Sequence, residues 1–253
     1  MLVRNLLITV LSSLLVGGNL FSREFTALEI IRKVDATERV ASSVATIRQE
    51  IETSGGKKRT LVAKTYSKDK NRKQLMEYLE PARVKGDKIL MLDDGNEIYF
   101  YTPRTRRVRH LASHARKQKV HGSDFSYEDL SHGDLEKDYT SKLLGEEEID
   151  GRPCYKLELI PTESGPHYRK LILWADKERF ITLQIDYFEE ESEPTKRLHC
   201  REIQNIQGHW TPMVLIMENL AEGGRTVMIT EEIKYDVDLP DEMFTTQNLK
   251  RRR

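Results

Sequence analysis

The chain has little of what stiffens small secreted folds: two cysteines, eight prolines and two tryptophans in 253 residues. Two cysteines exclude a disulfide framework. Cys154 and Cys200 both fall in predicted strands that a meander would not make neighbours, and whether they are bridged stays open. No charge of one sign dominates. The 41 basic residues are matched by 41 acidic ones, which argues against a general affinity for nucleic acid. No apolar run reaches the ~20 residues of a comfortable membrane span. There is no GxSxG elbow and no HExxH pair, so no motif points to a catalytic or metal centre. Hydrophobic residues are 38% of the chain, low but enough for a sheet with one buried face.

What is present begins with a targeting signal. One positive charge in MLVR precedes the apolar run LLITVLSSLLV, then Gly17-Gly18-Asn19, then Leu20-Phe21-Ser22. This is the order of a secretory signal peptide, with cleavage near Ser22; the rival reading is an uncleaved anchor. No cysteine follows the apolar run, so the chain is not itself a lipoprotein of the usual kind. The expectation is a signal peptide over residues 1–22 and one exported domain over 23–253.

The mature part opens with a helix. Thr26-Ala-Leu-Glu29 is a capping box, and Ala27, Ile30, Ile31, Val34 and Ala41 share a face, predicting a helix to about residue 42. From Val44 the period changes to two. VATIRQEIET, KRTLVAKTYSKD, KQLMEYLE, KILMLDD and EIYFYTP read as five strands, with hairpin signals at Gly55-Gly56 and Asp94-Gly95. Residues 104–145 show no clear period. Strands resume as RPCYKLELIP, YRKLILWAD, FITLQIDYFEE, TKRLHCREIQNI, TPMVLIMENL and RTVMITEEIKYDV. About eleven antiparallel strands cannot stay flat. The fold class is α+β: one curved antiparallel sheet, an incomplete barrel, with an N-terminal helix and a lid from residues 104–145. A curved sheet with apolar lining and movable cover is a container for apolar cargo.

Several stretches then carry a resemblance. YLEPARVKGDKILML, YFYTPRTRRVRHL followed by GSDFSYEDL, GHWTPMVLIMEN and LPDEMFT, after a leader without a lipoprotein cysteine and one leading helix, resemble the outer-membrane lipoprotein-sorting proteins of the LolA-like half-barrel family. The resemblance covers almost the whole mature chain. It implies a half-barrel around a hydrophobic cavity with helices as lid. It implies a periplasmic, non-enzymatic, monomeric carrier without cofactor or metal. Its partners would be the acyl chains of lipoproteins or another membrane lipid, an inner-membrane transporter as donor and an outer-membrane acceptor. The better-studied carriers lack an obvious counterpart of GSDFSYEDL, which marks a branch. Exposing one long acyl chain to water costs on the order of 10 kcal/mol, so such cargo needs a lined cavity.

Candidate lining residues, chosen for apolar size, are Ile30 and Val34 from the helix, and Met76, Tyr78, Leu90, Leu92, Tyr99, Tyr101, Trp174 and Trp210 from strands. In HGSDFSYEDL, residues 121–130, Ser126-Tyr-Glu-Asp129 matches a capping box, Ser131-His-Gly-Asp134 is a weaker one, and Phe125 and Leu130 would face the interior. This stretch reads as a lid element, or as a surface helix that closes the barrel end. Arg104, Arg106, Arg107 and Arg109 are candidates for anionic head groups or an acidic partner, against a solvated strand pair or pairing with DYFEEESE. His110 and His114 have a helical zinc spacing, but the stretch does not read as a helix. Two rival functions remain. Ser123, Ser126, Asp124, His121 and His132 could hold a Ser/His/Asp set acting on a phospholipid. The protein could also sense lipid without carrying it.

Overall fold

The computed structural model describes residues 24–251 apart from 132, 164 and 191. The expected signal peptide lies outside the described residues. Helix α1, Ala27–Glu38, starts as the capping box demands: Thr26 Oγ1 accepts from Glu29 N, and Thr26 N donates 2.9 Å to Glu29 Oε2. Ile30, Ile31 and Val34 are its buried stripe. The helix ends at Glu38 and not near residue 42, because Ser42 already pairs with Lys68 in the sheet.

The sheet has thirteen strands. The first half holds β1 (Ser42–Thr53), β2 (Lys58–Lys68), β3 (Lys73–Glu80), β4 (Lys88–Leu92), β5 (Glu97–Thr102) and β6 (Arg107–His110). A connection over residues 111–138 contains the short helices α2 (Tyr127–Leu130) and α3 (Leu135–Asp138). The second half is β7 (Tyr139–Ile149), β8 (Arg152–Pro161), β9 (Lys170–Asp176), β10 (Thr182–Phe188), β11 (Lys196–Ile206), β12 (His209–Asn219) and β13 (Gly224–Tyr235). Each half is a meander, and β1 pairs antiparallel with β13 to fuse them. The edges are β6 and β7, so the sheet curves without closing. These edge strands are the two that sequence periodicity misses. RVRH and the GEEE run in β7 lie at edges where water replaces a neighbour, and their charges hide the strand pattern.

Apolar residues divide between the two faces. The face that carries α1 is the inner one. It collects Ile51, Leu61, Tyr78, Ile89, Ile98, Leu157, Leu173 and Met217 with α1 and the connection. On the back of the first half, Leu75, Leu90 and Tyr101 pack under the C-terminal segment through Leu239, Met243, Phe244 and Leu249. On the back of the second half, Cys154, Ile172 and Trp174 meet Ile181, Leu183 and Trp210. Cys154 and Cys200 are both free thiols.

The C-terminal segment is therefore the cover of the first half's back face. Phe244→Ala, at a site 4% exposed, should cost about 3–5 kcal/mol, read as a lower urea midpoint. A loss under about 1 kcal/mol would mean that this cover contributes little.

Candidate functional site: the inner face and its plug

The inner face is filled by protein. The connection lays Val120, Phe125, Tyr127 and Leu130 against the sheet, and all four are buried in the main core. Its deepest part is a tight turn. Val120 N donates to Phe125 O at 2.9 Å, and Lys119 bridges Ser126. His121 and Gly122 both have positive φ. A side chain at Gly122 would overlap the Arg59 guanidinium, whose Nη2 donates 2.6 Å to His121 O. Helix α2 follows, and its capping box is present: Asp129 N donates to Ser126 Oγ, and Ser126 N donates to Asp129 Oδ2. At α3 the cap is Asp134, which accepts from Lys137 N, in place of the Ser131 box.

The plug is held by side-chain bolts. Asp124 N donates 2.9 Å to Thr226 Oγ1, which donates 2.8 Å to Asp124 Oδ2. Thr226 is fully buried on β13. The second bolt is ionic. Lys196 Nζ, on β11, is 2.9 Å from Asp129 Oδ2, and the Tyr168 hydroxyl donates 2.6 Å to Asp129 Oδ1. Lys196 also reaches Tyr168 Oη at 2.9 Å. The Asp129 side chain is 0% exposed and that of Lys196 10%. Burial, and then the Asp129 charge, push the Tyr168 phenol well up, so it stays a donor. Glu128 accepts from His167 N at 2.9 Å.

Helix α1 is tied to the same connection. Arg39 reaches Asp134 at 2.5 Å and Asp94 at 2.7 Å. Asp35 accepts from Leu135 N and Glu136 N at the start of α3, at 3.2 and 3.1 Å. Burial raises the Asp35 carboxyl to about 6, although these two donors pull it down.

The predicted lining residues divide. Ile30, Val34, Tyr78, Phe125 and Leu130 lie in the inner core, with Met76 against it. Leu90, Leu92, Tyr99 and Tyr101 point to the back, where the C-terminal segment covers them; the inner positions are Ile89, Met91, Ile98 and Phe100. Trp174 and Trp210 are also on the back, Trp174 donating 2.7 Å to Glu147 Oε2. These strands are apolar on both sides because both faces are covered, which erases the period that would assign a face. Leu61, Gln49, Lys196 and Thr226 escaped the sequence reading. Lys196 shares alternation with Leu198 and Cys200, and Gln49 lies between Ile47 and Ile51, so a polar residue in an apolar stripe was the available signal.

Arg104, Arg106, Arg107 and Arg109 surround the β5–β6 hairpin. Arg104 donates to Arg83 O, Arg106 takes positive φ in the turn, and Arg109 lies 5.3 Å from the Phe100 ring centre. Asp186, in the acidic stretch, pairs with Arg197 instead. The Ser/His/Asp set is not assembled among the described residues. Ser123 Oγ donates to Phe125 O, Ser126 Oγ serves as a cap, Asp124 binds Thr226, and His121 Nε2 has Asp87 as its nearest carboxylate at 3.5 Å. His132 lies outside the described residues. No group of three metal-binding side chains is gathered among the described residues, and no described helix is long and apolar enough to cross a membrane. Two surface pockets of about 270 and 300 Å³ are present among the described residues: one at the ends of β1, β2 and β13, where Arg59 of its lining also holds the plug turn, the other between Tyr99, His110 and α4 (Thr246–Leu249).

The unclosed sheet with its leading helix is a fold that this chain shares with solved structures, one of them of the LolA superfamily. A putative outer membrane lipoprotein-sorting protein domain from Vibrio parahaemolyticus superposes with TM-score 0.83 at 24% identity, over 89% of this chain and 98% of that one. A DUF1329 family protein from Desulfovibrio piger gives 0.82 at 28% identity, over 88% and 97%. A LolA superfamily protein from Nitrosomonas europaea gives 0.75 at 24%, over 89% and 100%. A family model described as an uncharacterized protein matches residues 70–251, and the chain belongs to that family. No curated protein matches it.

Two outcomes follow from the bolts. Asp129→Ala strands the Lys196 charge and removes a cap, and should cost about 3–5 kcal/mol; adding Lys196→Met should restore more than half of that loss. Strictly additive losses in urea titrations would show that the two are not coupled. Asp35 is raised in the folded protein, so its contribution is full below pH ~4 and fades as pH rises through about 6. Stability should therefore fall by about 1–2 kcal/mol across that window, discounted for partial exposure, and Asp35→Asn should flatten that part of the profile. Parallel pH profiles for the two proteins would contradict this assignment.

Proposed function

We propose that the protein is a carrier that shields lipid acyl chains on the inner face of its sheet, exchanging the plug for the chains. One observation supports this reading above others. The plug supplies a share of the main apolar core, yet it is fastened by a few side-chain bolts and not by a ladder of strand pairing. Its apolar groups, Val120, Phe125, Tyr127 and Leu130, cover the surface that a chain would use. Cargo and plug then compete for one face, so occupancy sets plug position. The free energy is of the right size: each methylene moved from water is worth about 0.8 kcal/mol, so a long acyl chain can repay the displacement of a few buried side chains.

In this reading the chain is exported with removal of residues 1–22, works in the periplasm as a single domain over 23–253, and moves lipoproteins or another envelope lipid from an inner-membrane donor to an outer-membrane acceptor. The likeness to a protein described as a putative lipoprotein-sorting domain supports that direction. The reading includes no enzymatic step. The serine hydroxyls of the plug are engaged in caps and turns, which favours a structural role for them over hydrolysis.

Phe125 is the deepest large side chain of the plug, at 2% exposure. Phe125→Ala should loosen the plug by about 3 kcal/mol, speeding hydrogen exchange over residues 119–131 while leaving β8–β12 protected. Loading with acyl lipid should speed exchange over the same residues in the unsubstituted protein. Equal exchange there with and without lipid, together with lipid transfer unaffected by Phe125→Ala, would overturn the carrier reading.

A further inference from the structure

Beneath the plug, the inner face holds buried polar groups whose hydrogen-bonding capacity is largely unmet. Gln49 is 1% exposed and Tyr78 0%. Both amide atoms of Gln49 and the Tyr78 hydroxyl are enclosed without a regular hydrogen bond, although the two side chains face each other. An unpaired buried donor or acceptor is costly and rare in native folds, so a pair of such residues side by side requires a reason. Their cover is the removable part of the molecule. The His121 ring packs on Tyr78 with centres 4.5 Å apart, and its own Nε2 is enclosed with no hydrogen bond.

The surroundings are cationic. Arg59 holds the plug turn through Nη2, while its Nε is enclosed and unpartnered. Arg83 stands close enough that its charge, after burial, lowers the Arg59 pKa. Among the described residues neither Arg59 nor Arg83 is in a salt bridge. The nearby carboxylates are Asp87, beside His121, and Asp124, which is already bonded to Thr226 and Lys119. Withdrawal of the turn would leave an amide, a hydroxyl and two guanidiniums facing one end of an otherwise apolar surface.

We propose that this polar end is a head-group subsite for a phosphate-bearing acyl lipid. Gln49 and Tyr78 donate hydrogen bonds to its phosphate oxygens beside Arg59 and Arg83, and its chains cover the apolar face that Phe125 and Leu130 now occupy. A phosphate accepts several charge-assisted hydrogen bonds, and guanidinium forks match its oxygens. The subsite rests on the carrier reading and adds the class of cargo.

The test is competitive loading, read by native mass spectrometry. The full chain is incubated with detergent micelles holding equal parts of phosphatidylglycerol and a diacylglycerol of the same acyl chains. A parallel arm adds glycerol 3-phosphate or inorganic phosphate as competitor. The unsubstituted protein should load phosphatidylglycerol over diacylglycerol by about tenfold, the worth of one net charge-assisted hydrogen bond. Tyr78→Phe, which removes one unsatisfied oxygen and keeps the ring against His121, should lower the ratio, and so should Arg83→Gln at the exposed rim. The double variant Gln49→Leu, Tyr78→Phe should bring it near one. Equal loading of the two lipids by the unsubstituted protein, or a ratio unmoved by all of these variants, would overturn the subsite and leave the carrier reading standing. Displacement of the lipid by either soluble phosphate at equal concentration would assign the site to free phosphate and overturn the lipid proposal. Failure to load either lipid would count against the carrier reading itself.

Discussion

The structure depends on one mismatch of area. A thirteen-stranded open sheet presents an apolar inner face larger than one twelve-residue helix can cover. Exposed apolar surface of that extent is not stable in water, so the remainder must be covered by other parts of the chain. Residues 111–138 do this. They interrupt the strand run at the point where the two meanders part, which leaves β6 and β7 as edges and the connection free to fold inward. The open edge and the plug are consequences of one break in the sheet.

The chemistry of the cover follows from its place. An irregular segment inside a core carries backbone and side-chain polar groups that must be paired. The plug meets much of that demand with the Asp124–Thr226 pair, the Asp129–Lys196–Tyr168 set and the Ser126 cap. Such bonds are directional, so they fix where the turn sits. They also limit how tightly it is held, because buried charges gain little net stability when paired and lose much when separated. Asp35 and Arg39 link α1 to α3, so the helix and the plug form one cover over one face.

Much of this was legible in the sequence. The capping box at Thr26, the change of period after Val44 and the turn signals at Gly56 and Gly95 locate the helix and most strands. Ser126 with Asp129 marks the start of α2 through residue type and spacing alone. The faces of β4, β5 and β9 were not legible, because Leu90, Tyr101 and Trp174 are as apolar as Ile89, Phe100 and Leu173, and two separate covers bury both sides. The bolts were not legible either. Lys196 and Tyr168 meet Asp129 only through the curvature of the sheet, which no local pattern encodes. The polar residues Gln49 and Lys196 inside apolar stripes were visible, but a stripe alone does not reveal a partner.

The central claim is that plug and cargo cannot occupy the inner face together. Cross-linking the plug in place addresses it directly. Asp124 N and Oδ2 both contact Thr226 Oγ1, so Asp124→Cys with Thr226→Cys places one thiol on the plug next to one on β13, a pair to be bridged by oxidation. Lipid loading would be measured on the oxidised protein and again after reduction. The account predicts little loading when the bridge is closed and recovery when it is opened. Equal loading in both states would contradict it.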